Sequence, residues 1–153
     1  MVKIFVERAK NEFQISELLY QFSKEEKLKR KLGIKEDTTF YSGVISHAYY
    51  CIFYSAKALL LTKKVKTKAP HIHKKTYEKF KEYFVDLGVL DVKLLNVYKS
   101  LIIRADELLG IFEEEKWKRG HFTYKSIPQA NEKPANNSLK SAKTFLSNIL
   151  KII

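Results

Sequence analysis

One cysteine, one methionine, three prolines and five glycines are all that 153 residues contain of their types. A single cysteine, Cys51, excludes an internal disulfide, and its setting among Tyr49, Tyr50, Ile52 and Phe53 makes it a small hydrophobe, not a nucleophile or metal ligand. The glycines stand alone at positions 33, 43, 88, 110 and 120, so there is no glycine-rich phosphate loop and no P-loop hydrolysis. No uninterrupted apolar run reaches the roughly 18 residues of a membrane span. The opening MVKIFVERAK carries Lys3, Glu7 and Arg8 where a signal peptide needs an apolar run. These absences predict a cytoplasmic protein with no membrane attachment. His71 and His73 have no cysteine nearby and only Glu78 as a carboxylate, so neither a metal nor a cofactor is expected.

Acidic residues are also scarce: 17 against 29 lysines and arginines, a formal charge of +12. An excess of this size favours RNA or another polyanion as partner. A lysine-rich solvated surface explains a general excess equally well. It accounts less well for the clustering, since Thr62 to Lys81 holds eight lysines and one acid, Glu78.

The hydrophobic share of 45% is enough for one core, and residues 1–153 are predicted to form a single domain. The stretch from Thr39 to Lys63 organises it. From Ala48 to Phe53 every side chain is apolar or aromatic, so no face of that turn can be left in water, and Ile45, Tyr49, Ile52, Ala56 and Leu60 follow the helical period. This is the predicted central helix, with Asp37 or Thr38 as its N-terminal cap. Before it, Val2 to about Lys31 reads as a helix that breaks near Ser23, where Ser23 and Glu26 fit a capping box, and ends before Gly33. After it, VKTKAPHIHKK is a basic loop. A third helix follows from about His73, with Tyr77, Phe80, Phe84 and Leu87 on one face and Gly88 as its terminator.

Asp91 opens a fourth helix with the stripe Leu94, Tyr98, Leu101, Ala105, Leu108 and Phe112, which can run on to Trp117. On it, Arg104 and Asp106 read as part of the solvated side. Gly120 to Pro134 reads as a long loop, and the last helix spans Pro134 or Ala135 to Ile152. The fold class is therefore all-α: an antiparallel up-and-down helical bundle of four long helices plus one or two short ones.

Two groups of residues are candidates for binding single-stranded nucleic acid. Lys66, Lys68, Lys74 and Lys75 supply positive charge around the basic loop. Lys116, Lys118, Arg119 and Lys125 alternate with Trp117 and Phe122, the mixture of phosphate neutralisers and stacking faces that single strands require.

The segments SHAYYCIFYSAKALLL (Ser46 to Leu61), HKKTYEKFKEYFVDLG (His73 to Gly88), RGHFTY (Arg119 to Tyr124) and SLKSAKTFL (Ser138 to Leu146) together resemble the HEPN domain family, the higher eukaryotes and prokaryotes nucleotide-binding domain, in its small stand-alone members. The resemblance implies an RNA-associated homodimer, often paired as toxin with a minimal nucleotidyltransferase as antitoxin. It also implies a ribonuclease motif in active members, an arginine followed four to six residues later by a histidine. Here Arg119 stands at the arginine position, Tyr124 stands where the histidine belongs, and His121 falls too close. Metal-free RNA cleavage needs a group to take the 2′-hydroxyl proton, and a tyrosine with a pKa near 10 serves poorly. The expectation is thus an RNA-associated binding module, with the ribonuclease motif incomplete. Its alternatives are a divergent endoribonuclease toxin using Arg119 with His121 or Tyr124, and a scaffold that binds protein only.

Overall fold

The computed structural model of the chain describes residues 1–109 and 131–153, the side chain of Glu107 excepted. Six α-helices occupy most of them: α1 (Val2–Lys24), α2 (Glu26–Lys31), α3 (Tyr41–Thr62), α4 (Ile72–Phe80), α5 (Val92–Leu109) and α6 (Glu132–Leu150). A π-helical turn, Lys81–Val85, continues α4. There is no strand among the described residues.

The apolar turn of α3 has the burial its composition demands. Val44, Ala48, Tyr49, Cys51, Ile52, Ala56, Ala58 and Leu59 are fully enclosed, by α1 and α6 most extensively and by α5 and α4 on the remaining sides. α3 is long and apolar enough to cross a membrane by length and composition, yet 67% of that window is buried within the protein, the position of a core helix. At roughly 1.5–3 kcal/mol for each large apolar side chain removed from water, this one helix supplies much of the drive for folding.

Contacts along the helices fix their directions. Phe5 of α1 stacks on Tyr54 of α3, Ser16 Oγ donates to the carbonyl of Val44 at 2.8 Å, and Phe22 meets Phe40 just ahead of α3. Thus α1 and α3 run antiparallel. Lys24, at the end of α1, pairs with Glu132, at the start of α6, while Tyr98 of α5 packs on Phe145 of α6 and Arg104 reaches Ser138. The four long helices therefore alternate in direction, α1 with α5 and α3 with α6, as an up-and-down bundle requires.

The local boundaries depart from expectation where tertiary contacts compete. Ser23 marks the break between α1 and α2 but does not cap: its hydroxyl donates to Leu19 O at 2.7 Å and accepts the Phe40 N–H at 2.7 Å. Neither Asp37 nor Thr38 caps α3. Its N-cap is Phe40, whose side chain has no acceptor, and Ser23 from the end of α1 accepts the Phe40 N–H that a Thr38 cap would have taken. Asp91 does cap α5, its carboxylate accepting the Lys93 N–H at 2.7 Å. Gly88, at φ +72°, terminates the α4 segment, its N–H bonded to Val85 O. Tyr77, Phe80 and Phe84 are buried as expected, but Leu87 is 71% exposed. The π turn adds a residue to the spiral, a rotation of about 100° that carries later positions off the buried face. α6 begins at Glu132, ahead of the expected Pro134, which sits in its first turn.

The link between α2 and α3 is held by an internal cation. Lys29 is 2% exposed, and its Nζ donates to Glu36 O at 2.6 Å and Thr38 O at 2.9 Å, tying down a segment with little apolar material. Replacing Lys29 by Met keeps the packing and strands both carbonyls. Urea unfolding of Lys29→Met should show a loss of about 2–4 kcal/mol, against under about 1 kcal/mol for Lys27→Met on the exposed side.

Candidate functional site

The loop between α3 and α4 is short of apolar side chains yet firmly placed. Thr67 is buried and donates its hydroxyl to Thr76 Oγ1 at 2.7 Å, while Thr76 donates in turn to Ile72 O at 2.7 Å. Pinning Thr67 inward in a stretch without helix leaves its neighbours Lys66 and Lys68 exposed on either side. Lys74 and Lys75 follow in the first turn of α4, Lys74 half-buried and Lys75 exposed. The four predicted lysines of this region thus lie along one loop and the start of one helix.

Beside the loop runs an aromatic surface that belongs to α1 and α3. Phe5 and Tyr54 stack with ring centroids 6.0 Å apart, and Tyr54 stacks on Tyr50 at 6.1 Å. All three rings are half-buried. Arg8 lies 5.4 Å over Tyr54, and Lys57 lies 4.9 Å from the Phe5 centroid and 5.5 Å from that of Phe53. Burial first, and then the charge of Arg8, lowers the Lys57 pKa. Towards the middle of the bundle the strip is bounded by a hydrogen bond between His47 Nδ1 and the Glu12 carboxylate at 2.6 Å.

His73 joins this surface to the interior. Its ring lies 4.5 Å from Phe53, and its Nδ1 is 2.8 Å from the hydroxyl of fully buried Tyr49. Burial raises the Tyr49 pKa well above the phenol value, so the phenol keeps its proton and donates it, and His73 carries its own proton on Nε2. Burial, followed by the charge of Lys57, lowers the His73 pKa to about 4; Asp106 opposes them. An imidazole this weakly basic is neutral at pH 7 and a poor acceptor for a 2′-hydroxyl proton. His73 is therefore suited to holding the loop end on α3 and not to proton transfer.

Asp106 corrects the reading of α5. It is 4% exposed, and Arg104 is half-buried with a pKa lowered by desolvation, donating to Ser138 Oγ at 3.4 Å. Neither lies on a solvated side. The amphipathic pattern of α5 is continuous enough to imply one wet face, and only packing against α6 and α3 brings these charges inside. Cys51 is as inert as its neighbours imply, fully buried with its thiol pushed up to about 12. No group of three or more metal-ligating side chains occurs among the described residues. Arg119, His121 and Tyr124, with Lys116, Trp117, Lys118, Phe122 and Lys125, lie outside the described residues.

Comparison with known proteins yields two relatives from Methanocaldococcus jannaschii. The chain is 30% identical to "Putative toxin MJ0605" over 117 residues, 76% of this chain and 74% of that protein. It is 36% identical to "Putative toxin MJ0142" over 87 residues, 53% of this chain and 57% of that protein. No family model matches the chain. No solved structure matches it.

The depressed pKa of His73 has a measurable consequence for stability. Between the usual 6.5 and about 4 the unfolded chain takes up a proton that folded His73 refuses. Its contribution is thus intact above pH 6.5, declines as pH falls, and is lost by about pH 4, on the order of 1–2 kcal/mol once solvent screening of a half-buried ring is allowed for. Urea titrations across this window should show the decline in the wild type and a smaller one in His73→Gln.

Proposed function

Because this chain belongs to the same family as the M. jannaschii protein named "Putative toxin MJ0605", we propose that it is the toxin component of a toxin–antitoxin pair, an HEPN-like module that acts by binding RNA. The observation that carries the RNA reading is the placement of Lys66, Lys68, Lys74 and Lys75 along one pinned loop and helix start, next to the half-buried rings of Phe5, Tyr50 and Tyr54. Phosphate contacts set affinity and aromatic faces accept unstacked bases, which is how proteins hold single strands without reading their sequence. A homodimer, and a nucleotidyltransferase antitoxin as partner, are the corresponding proposals for assembly, and both rest on the HEPN resemblance.

Incubating the protein with total cellular RNA and a chelator, beside an Arg119→Ala variant, tests this reading. Salt-dependent retention of intact RNA is the expected result. Replacing Lys66, Lys68, Lys74 and Lys75 together by Ala should lower the slope of log affinity against log salt by up to about 3, the share of four phosphate contacts on a single strand. Discrete fragments that vanish in Arg119→Ala would instead establish the endoribonuclease alternative. Absence of both retention and cleavage would leave the protein-only scaffold.

A further inference from the structure

Where the first turns of α1 meet the last turn of α3, a hollow of about 150 Å³ opens to solvent, lined by Met1, Phe5, Lys57, Leu60, Leu61 and the loop residues from Val65 to Lys68. Its walls are apolar; its charge is carried by Lys57, Lys66 and Lys68. An apolar cavity of roughly this volume accepts one aromatic ring.

Lys10, Lys24, Arg30, Lys79 and Lys81 each have a carboxylate partner; Lys57, Lys66 and Lys68, like several solvated lysines elsewhere, have none among the described residues. Lys57 is the most telling, because it is half-buried. Its ammonium has given up part of its water for the faces of Phe5 and Phe53, and neighbouring Arg8 repels it. A desolvated cation without a counter-charge, on the wall of a ring-sized apolar hollow, complements an anion that carries a flat apolar group.

We propose that this hollow is a nucleobase pocket: it takes one unstacked base of single-stranded RNA against Phe5, Leu60, Leu61 and Val65, with the adjoining phosphates on Lys57, Lys66 and Lys68. The inference rests on the RNA-binding reading and adds to it a specific site. It separates two roles within the basic surface. The outer lysines, Lys74 and Lys75, neutralise the strand wherever it lies, and the hollow holds it at one nucleotide.

Fluorescence anisotropy with a labelled oligoadenylate and with a ribose-phosphate strand of equal length lacking bases separates the outcomes. The wild type should bind the oligoadenylate roughly tenfold more tightly, the share of one stacked base. Phe5→Leu, which removes the aromatic wall and keeps the apolar lining, should erase most of that preference while binding to the base-free strand persists. Lys57→Gln should weaken both strands and lower the salt slope by about 0.7. Should Phe5→Leu not fold, adenosine 5′-monophosphate displacing the oligoadenylate from the wild type more effectively than ribose 5-phosphate carries the same support, and equal displacement overturns the pocket. Equal affinity of the wild type for the two strands, or a preference untouched in folded Phe5→Leu, would overturn the pocket and leave RNA binding standing. Failure of the wild type to bind either strand would overturn both.

Discussion

The whole structure depends on one helix that cannot be exposed. α3 has apolar or aromatic side chains on every face of its central turns, and an exposed face would forfeit the burial of Tyr49, Ile52, Phe53, Leu59 or Leu60. Covering it requires neighbours on all sides, which α1, α4, α5 and α6 provide. α1 is the closest of them. A Cβ on Gly43 would come within 2.8 Å of the end of the Leu19 side chain, and Ser16 bonds directly to the α3 backbone at Val44. The other helices fit around this pair, meeting at the aromatic group Tyr77, Phe80, Tyr98 and Phe145.

The candidate binding surface follows from the same constraint. One face of α3 stays partly open in mid-helix, where Tyr50 and Tyr54 are half-buried, although Ala56, Ala58, Leu59 and Leu60 beyond them are enclosed. Tyr50 and Tyr54 share with Phe5 a strip covered on one side only, and Lys57 lies across it. The chain then leaves the bundle as a basic loop held by the Thr67 and Thr76 hydroxyls. Aromatic surface and positive charge are brought together because the loop starts where the core helix stops. His73, bonded to Tyr49 from the next helix, closes the loop back onto the core.

Charge is used in opposite ways at the two ends of α3. Near its start, Lys29 is buried and its donors satisfy the carbonyls of Glu36 and Thr38, so the cation serves the fold. Near its end, Lys57, Lys66 and Lys68 have no carboxylate among the described residues, so their charge is available to a ligand. A net charge of +12 does not distinguish these uses. The chain belongs to the family of the M. jannaschii protein named "Putative toxin MJ0605".

The apolar run of α3, the period of α5 and α6, and the glycines at positions 33 and 88 were enough to determine the helix types, their order and the bundle, because burial of a continuous face dominates every local preference along these segments. The basic loop was legible for the same reason in reverse, as a stretch with no face to bury. Long-range bonds decided the rest. Ser23 serves the amide of Phe40 instead of capping its own helix, a π turn moves Leu87 into solvent, and Asp106 lies inside a helix surface that its pattern marks as wet. The pairing of Phe5 with Lys57, and with it the hollow between them, joins residues far apart in the chain. Nothing in either segment alone specifies that pairing; only the antiparallel packing of α1 on α3 creates it.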